Sequence, residues 1–334
     1  MTANEVRWGI LGTARIAEKA VAPAIRKSHS GKLQGVASRS HDKATAFAAN
    51  LGIERSYSSY QDLLNDAEID AVYVPLPNNL HKPWTIKAAE AGKHVLCEKP
   101  LALSSGDCLE MQTAAQKNGV KLMEAFMYRF HPRIEGISKL VQQGKLGEVS
   151  LLRSSFTFAV KGAGNIRLRP ELGGGALMDV GCYCVNIGRT LMGAEPVQVQ
   201  AFASWTDSGV DGLLLGTMTF KSRAFVQFDC SLELPRREQC EIVGSKGRLD
   251  IPSAFVAGTG PVVAHWLPTD AAPEDLAFPA ADSYQLMVEH FESCILHDTP
   301  LRYPVEDAAA NMRVIESLYR SAREGGLPVA VEPQ

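Results

Sequence analysis

The sequence predicts an α/β protein of two domains, in which an N-terminal doubly wound parallel sheet precedes a C-terminal α+β domain built on a large, mainly antiparallel open sheet. The 334 residues exceed one ordinary domain and suit two, each with its own core. Probable strands and helices alternate as far as residue 125, and from residue 197 to 251 strands joined by sharp turns take over. We therefore expect domains at 1–125 and 126–334, with a final helix able to pack back on the first domain.

Composition and charge exclude several classes of partner. The formal net charge is -3, from 34 basic and 37 acidic residues, so no basic field for nucleic acid and no polybasic membrane segment is expected. No apolar run approaches the ~20 residues needed to span a bilayer. Residues 1–5 lack the features of a signal peptide, and we expect a cytoplasmic protein. The seven cysteines show neither a Cys-x-x-Cys pair nor a zinc spacing, which indicates packing roles without disulfides or a metal site.

The first element predicts a nucleotide cradle. Strand 6–11 leads into Gly12-Thr13-Ala14-Arg15-Ile16-Ala17 and a helix that runs to about Lys27. This is a G-x-A-x-x-A variant of the dinucleotide fingerprint, in which Gly12 permits the turn, Ala14 allows close approach to a pyrophosphate and Ala17 allows helix–sheet packing. The helix N-terminus would supply N–H groups to the phosphates. A degenerate fingerprint also fits a structural turn, although its place after the first strand favours the cofactor.

The rest of the first domain repeats the same alternation. The predicted elements are strand 33–37, helix 42–51, helix 60–65, strand 71–76, helix 81–91, strand 94–97, helix 104–118 and strand 120–125. This order is typical of the Rossmann fold, and the handedness of crossovers leaves one topology for it.

The cofactor's ribose is read after the second strand, where an NAD site places an acidic residue. This chain has Ser38-Arg39-Ser40 there instead. Without a carboxylate to repel a 2′-phosphate, and with Arg39 able to donate to one, the sequence favours NADP over NAD. The alternative is that Arg39 is a solvated loop charge.

Two further segments follow strands at the carboxyl edge of the sheet, where ligands of such sheets bind. The residues predicted to line the nicotinamide pocket after the fourth strand are Pro75, Leu76, Asn78 and His81. His81 fits equally a simple helix start, because Pro83 follows it. Glu98-Lys99-Pro100 follows strand 94–97 and offers a proton-transfer side chain at the end of a strand.

The second domain is predicted from strands and one informative helix. A helix at 133–143 precedes a long strand at 148–160, and the turns at 221–223 and 244–247 are typical of hairpins. A large sheet with few helices leaves a free face, so we expect a homodimer, or a tetramer, through this sheet. Arg167 and Arg169 lie in a loop and fit surface charges better than an anion site.

The informative helix follows Gly173-Gly174-Gly175. Its apolar stripe should pack on the sheet and comprises Leu177, Val180, Cys184, Ile187 and Leu191. A second stripe is polar and comprises Asp179, Tyr183, Asn186 and Thr190. Asp179 and Tyr183 are four residues apart and share a face, so the stripe predicts either a functional site or an ordinary solvated face.

These motifs together resemble the glucose-fructose oxidoreductase, inositol dehydrogenase and rhizopine catabolism (Gfo/Idh/MocA) family over nearly the whole chain. The matching segments are Gly9–Gly12, Glu98–Pro100 and Gly173–Gly181. Many members have His at the position of Tyr183. The Tyr-containing branch includes dimeric dihydrodiol dehydrogenase and NADP-dependent xylose dehydrogenase, and the segment 127–132 also resembles that branch.

The resemblance implies the roles of individual residues. Lys99 and Tyr183 would be catalytic, with Asp179 orienting or binding substrate and Arg129 near the substrate. Glu98, Lys99 and Pro100 would lie beside the cofactor, with a cis peptide at Lys99–Pro100. The implied activity is NADP-dependent hydride transfer with a sugar, polyol or cyclic diol, for which an aldose 1-dehydrogenase is the first expectation. A keto-sugar reductase and a catalytically silent NADP-binding redox sensor stay open as alternatives.

Overall fold

The computed structural model describes residues 5–162 and 164–332, and the chain divides into two compact units. The first unit comprises Met1–Phe130 and Asp282–Ala309, and the second comprises His131–Ala281 and Ala310–Gln334. This division differs from the expected 1–125 and 126–334, because the first unit extends to residue 130 and receives a segment from near the C-terminus. The segment that returns contains the penultimate helix and only the first turn of the last one.

The elements have the following bounds. The strands are β1 Val6–Leu11, β2 Gly31–Ala37, β3 Arg55–Tyr57, β4 Ala71–Val74, β5 His94–Glu98, β6 Leu122–Ala125, β7 Val149–Thr157, β8 Gln198–Trp205, β9 Asp211–Thr219, β10 Phe225–Ser231, β11 Arg237–Gly244, β12 Gly247–Pro252, β13 Val262–Pro268, β14 Glu274–Phe278 and β15 Val329–Ala330. The α-helices are α1 Ala22–Lys27, α2 His41–Leu51, α3 Tyr60–Asn65, α4 His81–Glu90, α5 Ser105–Lys117, α6 Pro132–Gln142, α7 Cys182–Met192, α8 Ser283–Leu296 and α9 Val305–Arg323. Wider π-helical turns, at Ala17–Val21 and Leu177–Gly181, lead into α1 and α7.

The first unit is built on a parallel sheet with strand order β3-β2-β1-β4-β5-β6. The predicted doubly wound sheet is thus confirmed, with the short edge strand β3 added. Trp8, Ile10 and Leu11 of β1 are fully buried, as expected for a central parallel strand covered on both faces. The strand order reverses between β1 and β4, and such a switch point forms the ligand crevice of doubly wound sheets.

The second unit is built on a mixed sheet of order β14-β13-β12-β11-β7-β10-β9-β8-β15. Its described strands pair antiparallel except β7 with β10, so the expected antiparallel character is confirmed. Helix α7 packs on β7 and β10. The whole apolar stripe predicted from the sequence is buried in that packing.

Three observations concern the cysteines, metal binding and membrane-spanning helices. All seven cysteines are free and buried. Within residues 5–162 and 164–332 no group of His, Cys, Asp or Glu is arranged to hold a metal ion. No helix in the same ranges is both long and apolar enough to cross a bilayer.

Helix α8 belongs to the first unit because it packs on β1, β2 and α1. The Trp8 ring lies 5.7 Å from that of Phe291, and its Nε1 donates to Glu292 Oε1 at 2.9 Å. Ser28 Oγ donates to the same oxygen at 3.0 Å, whereas Glu292 Oε2 is buried and has no partner among the described residues. Burial raises the pKa of Glu292 to about 7, against the opposing effect of the two hydrogen bonds.

We expect Glu292→Gln to stabilise the protein at alkaline pH. Because the folded-state pKa is raised, the stability contributed by the protonated carboxyl is complete below the unfolded pKa of ~4.3 and is lost as pH rises through about 7. Gln keeps the acceptor for Trp8 and Ser28 and carries no charge, so the gain at pH 8 should reach up to ~3 kcal/mol and vanish near pH 4.5. Urea denaturation at both pH values measures it, with the exposed Glu324→Gln as control. Equal stabilities at pH 8 would contradict the expectation.

Candidate functional site

The loop after β1 has the geometry of a dinucleotide cradle. Gly12 has φ 110°, a conformation that favours glycine, and its N–H donates to Ala37 O at 2.8 Å. A Cβ at Gly12 would lie 3.1 Å from Leu76 Cδ2, so the loops after β1 and β4 meet where the strand order reverses. The helical hydrogen bonds begin at Ala14, whose carbonyl accepts from Glu18 N at 3.2 Å. A pyrophosphate could approach the backbone closely at Gly12, which has no side chain, and could accept hydrogen bonds from the N–H groups at the start of this helix.

The segment after β2 is shaped for the ribose end of the cofactor. Ser38 is buried, and its Oγ accepts from Ser40 N at 3.3 Å, whereas Arg39 is exposed. The buried Tyr60 places its hydroxyl 3.9 Å from the Cβ position of Gly12. Burial raises the pKa of Tyr60, and the charge of Arg39 together with its hydrogen bond opposes that rise. Tyr60 was not predicted, because a tyrosine at a helix start has no distinguishing local pattern.

The turn after β5 carries Lys99 and is held by carboxylates. Glu98 Oε1 accepts from Tyr73 OH at 2.5 Å, and Glu98 Oε2 accepts from Lys99 N at 3.3 Å. On the far side of the turn, Leu101 N donates to the buried Glu124 Oε1 at 2.8 Å. The Lys99–Pro100 peptide is cis, which confirms what the resemblance implied. Lys99 itself is half-buried at the carboxyl edge of the sheet.

His81 connects this turn to the loop after β4. Its ring is fully buried, with Nδ1 2.9 Å from Pro100 O and Nε2 2.8 Å from Leu76 O. Burial lowers the pKa of His81, and the carbonyl neighbours oppose that effect. A neutral ring has a single N–H and so donates to one carbonyl at a time. Since both nitrogens face backbone oxygens, His81 holds the two loops together, and its contact with the cofactor stays a prediction.

The side chain of Arg129 likewise contacts residues of the first unit. Its side chain is buried and forms an ion pair with Asp307. The guanidinium lies 3.5 Å from the ring centroid of Tyr303, and Tyr303 OH donates to Arg129 O at 3.1 Å. These contacts anchor the arginine within the first unit, and its expected place near the substrate stays a prediction. The sequence contained no signal of this pairing, because Asp307 lies far along the chain.

The second unit presents Asp179 on the π-helical turn before α7. Asp179 Oδ2 accepts from Arg167 Nε at 2.6 Å. The loop that carries Arg167 is docked on the glycine run, since Gly175 N donates to Arg167 O at 2.9 Å and Gly174 N to Arg169 O at 3.0 Å. The expectation that Arg167 is only a surface charge is therefore wrong, whereas Arg169 pairs with its neighbour Glu171 at the surface.

Tyr183 lies one turn beyond Asp179 in an aromatic setting. Its ring centroid is 5.3 Å from that of Phe156 and 5.4 Å from that of Phe255, and those two phenyl rings stack at 5.2 Å. Tyr183 is 7% exposed and Asn186 is fully buried, which excludes an ordinary solvated face for these two positions. The Tyr183 phenol is thus set among apolar rings one turn beyond Asp179, and proton transfer by it stays a prediction.

Family comparisons agree with this geometry. A model described as "Oxidoreductase family, NAD-binding Rossmann fold" matches residues 6–126, and that of the GFO/IDH/MocA C-terminal domain matches residues 134–250. The chain belongs to the GFO/IDH/MocA family. The resemblance seen in the motifs is thereby confirmed, and the protein is an oxidoreductase whose first unit is a nicotinamide-dinucleotide-binding Rossmann fold.

Individual relatives are similar over nearly their whole length. D-xylose 1-dehydrogenase (NADP(+)) 2 of Haloferax volcanii is 39% identical over 95% of this chain and 98% of the relative. Trans-1,2-dihydrobenzene-1,2-diol dehydrogenase of Xenopus laevis is 32% identical over 87% of this chain and 89% of the relative. The crystal structure of KijD10, a 3-ketoreductase from Actinomadura kijaniata in complex with NADP and TDP-benzene, matches with a TM-score of 0.91 at 30% identity. That match covers 95% of this chain and 98% of the other.

Proposed function

We propose that this oxidoreductase uses NADP to transfer a hydride between the nicotinamide and a carbinol or carbonyl carbon of a sugar, polyol or cyclic diol. Oxidation of an aldose at C1 is the best-supported reaction, because a xylose 1-dehydrogenase is 39% identical to this chain. The structural observation that carries the proposal is the turn that contains Lys99. This turn lies at the carboxyl edge of the nucleotide-binding sheet and is held there by Glu98, Glu124 and His81.

The protein's share of the chemistry is proton transfer. When bound, the cofactor supplies the hydride acceptor or donor. Tyr183 acts as the acid/base toward the substrate hydroxyl. A free phenol has a pKa of ~10. To act as a base near neutral pH, Tyr183 needs a pKa that is lower by about 2 to 3 units, which corresponds to roughly 3 to 4 kcal/mol of stabilisation of the phenolate. We assign the electrostatic support of this reaction to Lys99, because an ammonium ~4 Å from a developing negative charge supplies ~4 kcal/mol at an effective dielectric near 20. A direct bond from Lys99 to the reacting oxygen is the alternative division of roles.

Asp179 binds and orients a substrate hydroxyl in this proposal. Arg167 fixes one carboxylate oxygen through its Nε at 2.6 Å, and a carboxylate can accept further hydrogen bonds from a sugar or diol. The nearby Arg236, whose guanidinium lies 6.0 Å over the Phe156 ring, is paired with Glu238. Since both guanidinium groups already have carboxylate partners, the second unit favours an uncharged substrate over a nucleotide-linked one.

Tyr183→Phe should lower kcat by ~10² or more, the usual worth of general acid/base catalysis. The dissociation constant of NADP should stay within about twofold, because the cradle lies in the first unit and hydroxyl loss leaves the ring in place. Stopped-flow or steady-state absorbance at the NADPH band measures turnover, and fluorescence titration measures binding. Tyr303→Phe, which removes a hydroxyl that contacts only backbone, is the matched control. Near-normal turnover of Tyr183→Phe would defeat its catalytic role.

The alternatives are separated by one substrate panel. The panel comprises aldoses, cyclic diols, keto-sugars and a nucleotide-linked keto-sugar, assayed in both directions with NADP(H) and NAD(H). Faster reduction of keto-sugars than oxidation of any aldose would favour the reductase, the activity named for KijD10. Tight NADPH binding with no absorbance change on any member would favour the silent sensor.

Coenzyme choice rests on the segment after β2, where Ser38 and Ser40 replace an acidic residue and Arg39 is exposed. Arg39→Gln should raise the dissociation constant of NADP by roughly 10- to 100-fold, the worth of one charge-assisted hydrogen bond to the 2′-phosphate. The constant for NAD, which lacks that phosphate, should change by less than about threefold. Arg26→Gln, an exposed arginine of α1, is the control. An equal loss for both coenzymes would contradict the assignment.

We also propose a homodimer or tetramer through the second sheet. Its open face exposes Phe202, Leu215 and Phe225 of three adjacent strands, at 56%, 51% and 47%. Phe202 and Leu215 are direct cross-strand neighbours, and contiguous apolar surface of this kind marks interfaces.

The cytoplasmic location expected from composition stays a prediction, which cell fractionation tests.

Leu215→Arg should convert the oligomer to a monomer, because a charge placed in the centre of a buried apolar patch lacks a partner. Sedimentation velocity at micromolar concentration measures the state of both proteins. Leu103→Arg, an exposed position of the first unit, should leave the oligomer intact. A wild-type monomer would contradict the proposal.

A further inference from the structure

We propose that Asp211 and Tyr319 are positioning residues that fix the helix start carrying Asp179 and Tyr183. The inference rests on the proposed function, because it assumes that Asp179 and Tyr183 meet the substrate. All four residues belong to the second unit. Asp211 is the first residue of β9 and Tyr319 lies near the end of α9, so both are distant in sequence from the helix they serve.

Asp211 caps this helix from a neighbouring strand. Its carboxylate is buried, with Oδ2 accepting from Leu177 N at 2.6 Å and Oδ1 accepting from Tyr319 OH at 2.7 Å. Leu177 opens the π-helical turn, and the preceding Ala176 makes no side-chain cap. The first N–H groups of a helix lack partners within it, and a carboxylate there is favoured by the helix dipole. The distant aspartate therefore supplies what the local sequence does not.

Gly175 links the pair to Asp179. It has φ 124°, and a Cβ there would lie 2.1 Å from Asp211 Oδ1 and 2.8 Å from Tyr319 OH. The backbone of Gly175 accordingly packs directly against the two polar groups. Its carbonyl accepts from Asp179 N at 3.0 Å. A shift of Asp211 or Tyr319 thus reaches the main chain of Asp179 through one residue.

The consequence for the reaction is geometric. Displacement of a reacting group by about 1 Å can cost ~10²-fold in rate, because the effective concentration of correctly placed groups falls. Asp179 lies within the capped turn, and Tyr183 lies just beyond it on α7. Turnover should therefore depend on the cap more strongly than coenzyme binding does.

The carboxylate form of Asp211 is the one that accepts both hydrogen bonds. Burial raises the pKa of Asp211 to about 6, and the hydrogen bonds from Leu177 N and Tyr319 OH oppose that rise. The other groups near it are Tyr319 and Arg323 of α9 and Cys230 of β10. Burial raises the pKa of Tyr319 and of Cys230 well above their ordinary values. Neither of these groups titrates near pH 6.

The experiment compares Asp211→Asn and Tyr319→Phe with wild type in the full-length protein, using D-xylose or the best substrate of the panel. We expect kcat to fall roughly 10- to 100-fold for Asp211→Asn and several-fold for Tyr319→Phe, with the NADP dissociation constant within about twofold. Wild-type kcat should fall as pH drops through about 6, and Asp211→Asn should lack that limb. The double variant should resemble Asp211→Asn alone, because the two residues act as one unit.

A structural readout that needs no substrate accompanies the kinetics. Hydrogen exchange of the amides of residues 177–183 should accelerate in both variants, while that of the first unit is unchanged. Asp207→Asn, an exposed aspartate of the β8–β9 hairpin, is the charge-loss control. If Asp211→Asn does not fold, Tyr319→Phe carries the test, because it leaves the bond from Leu177 N in place.

The outcomes separate this inference from the proposed function. Near-normal kcat and unchanged exchange in both variants would overturn the positioning role, as would a loss of NADP affinity equal to the loss of kcat. If Tyr183→Phe is inactive while both positioning variants are normal, only the inference fails. If Tyr183→Phe retains turnover, the proposed function fails, whatever the exchange data show.

Discussion

The turn that carries Lys99 depends on polar side chains that are buried together with their hydrogen-bond partners. A buried polar atom without a partner costs roughly 1 to 3 kcal/mol, so each such group strongly restricts its neighbours. Glu98 and Glu124 accept main-chain N–H groups on either side of the cis peptide, and the ring of His81 lies against the carbonyls of Leu76 and Pro100. The loops after β4 and β5 are therefore tied to each other, and the main chain on both sides of Lys99 is held by side chains of β5, β6 and α4.

The second unit uses the same device on a helix. Asp179 is oriented by Arg167, and the turn on which it lies is capped by Asp211. In both units a π-helical turn precedes the helix that follows a glycine-containing loop, at Ala17–Val21 and Leu177–Gly181. A π-helical turn widens the helix locally and often occurs at functional sites. The helix after the dinucleotide cradle and the helix of Asp179 and Tyr183 thus share a first turn that departs from α geometry.

The sequence predicted those features that are encoded locally. Alternating strands and helices indicated the parallel sheet, the turn at Gly12 indicated the cradle, and the three- and four-residue steps after Gly175 indicated an apolar stripe, all of which is buried. The parallel pairing of β7 with β10 and the strands β13 and β14 were not predicted, because pairing between distant segments leaves no periodic signal. The sequence suggested that the final helix could pack back on the first domain, whereas the segment that returns, Asp282–Ala309, contains α8 and only the start of α9.

Single polar residues were the hardest to assign. Arg129 was expected near the substrate from the family resemblance, and His81 near the cofactor from its place after β4; the structure adds that Arg129 pairs with Asp307 and that His81 bridges two loops. Arg167 was treated as a surface charge, although it holds the carboxylate of the site. In each case the residue type was visible in the sequence, whereas the partner that decides its role comes from elsewhere in the chain.

The glycine run explains why the cap of α7 has to come from a distant residue. A Cβ at Gly174 would lie 2.4 Å from Arg167 O, and one at Gly175 would meet Asp211 Oδ1. At Gly174 the carbonyl of Arg167 occupies the space that a side chain would need, and at Gly175 Asp211 and Tyr319 occupy it, so neither position can hold the Ser, Thr, Asp or Asn that ordinarily caps a helix. The N–H of Leu177 at the helix start is instead met by the Asp211 carboxylate from another strand. Glycine at these two positions thus allows both the Arg167 loop and Asp211 to approach the start of the helix.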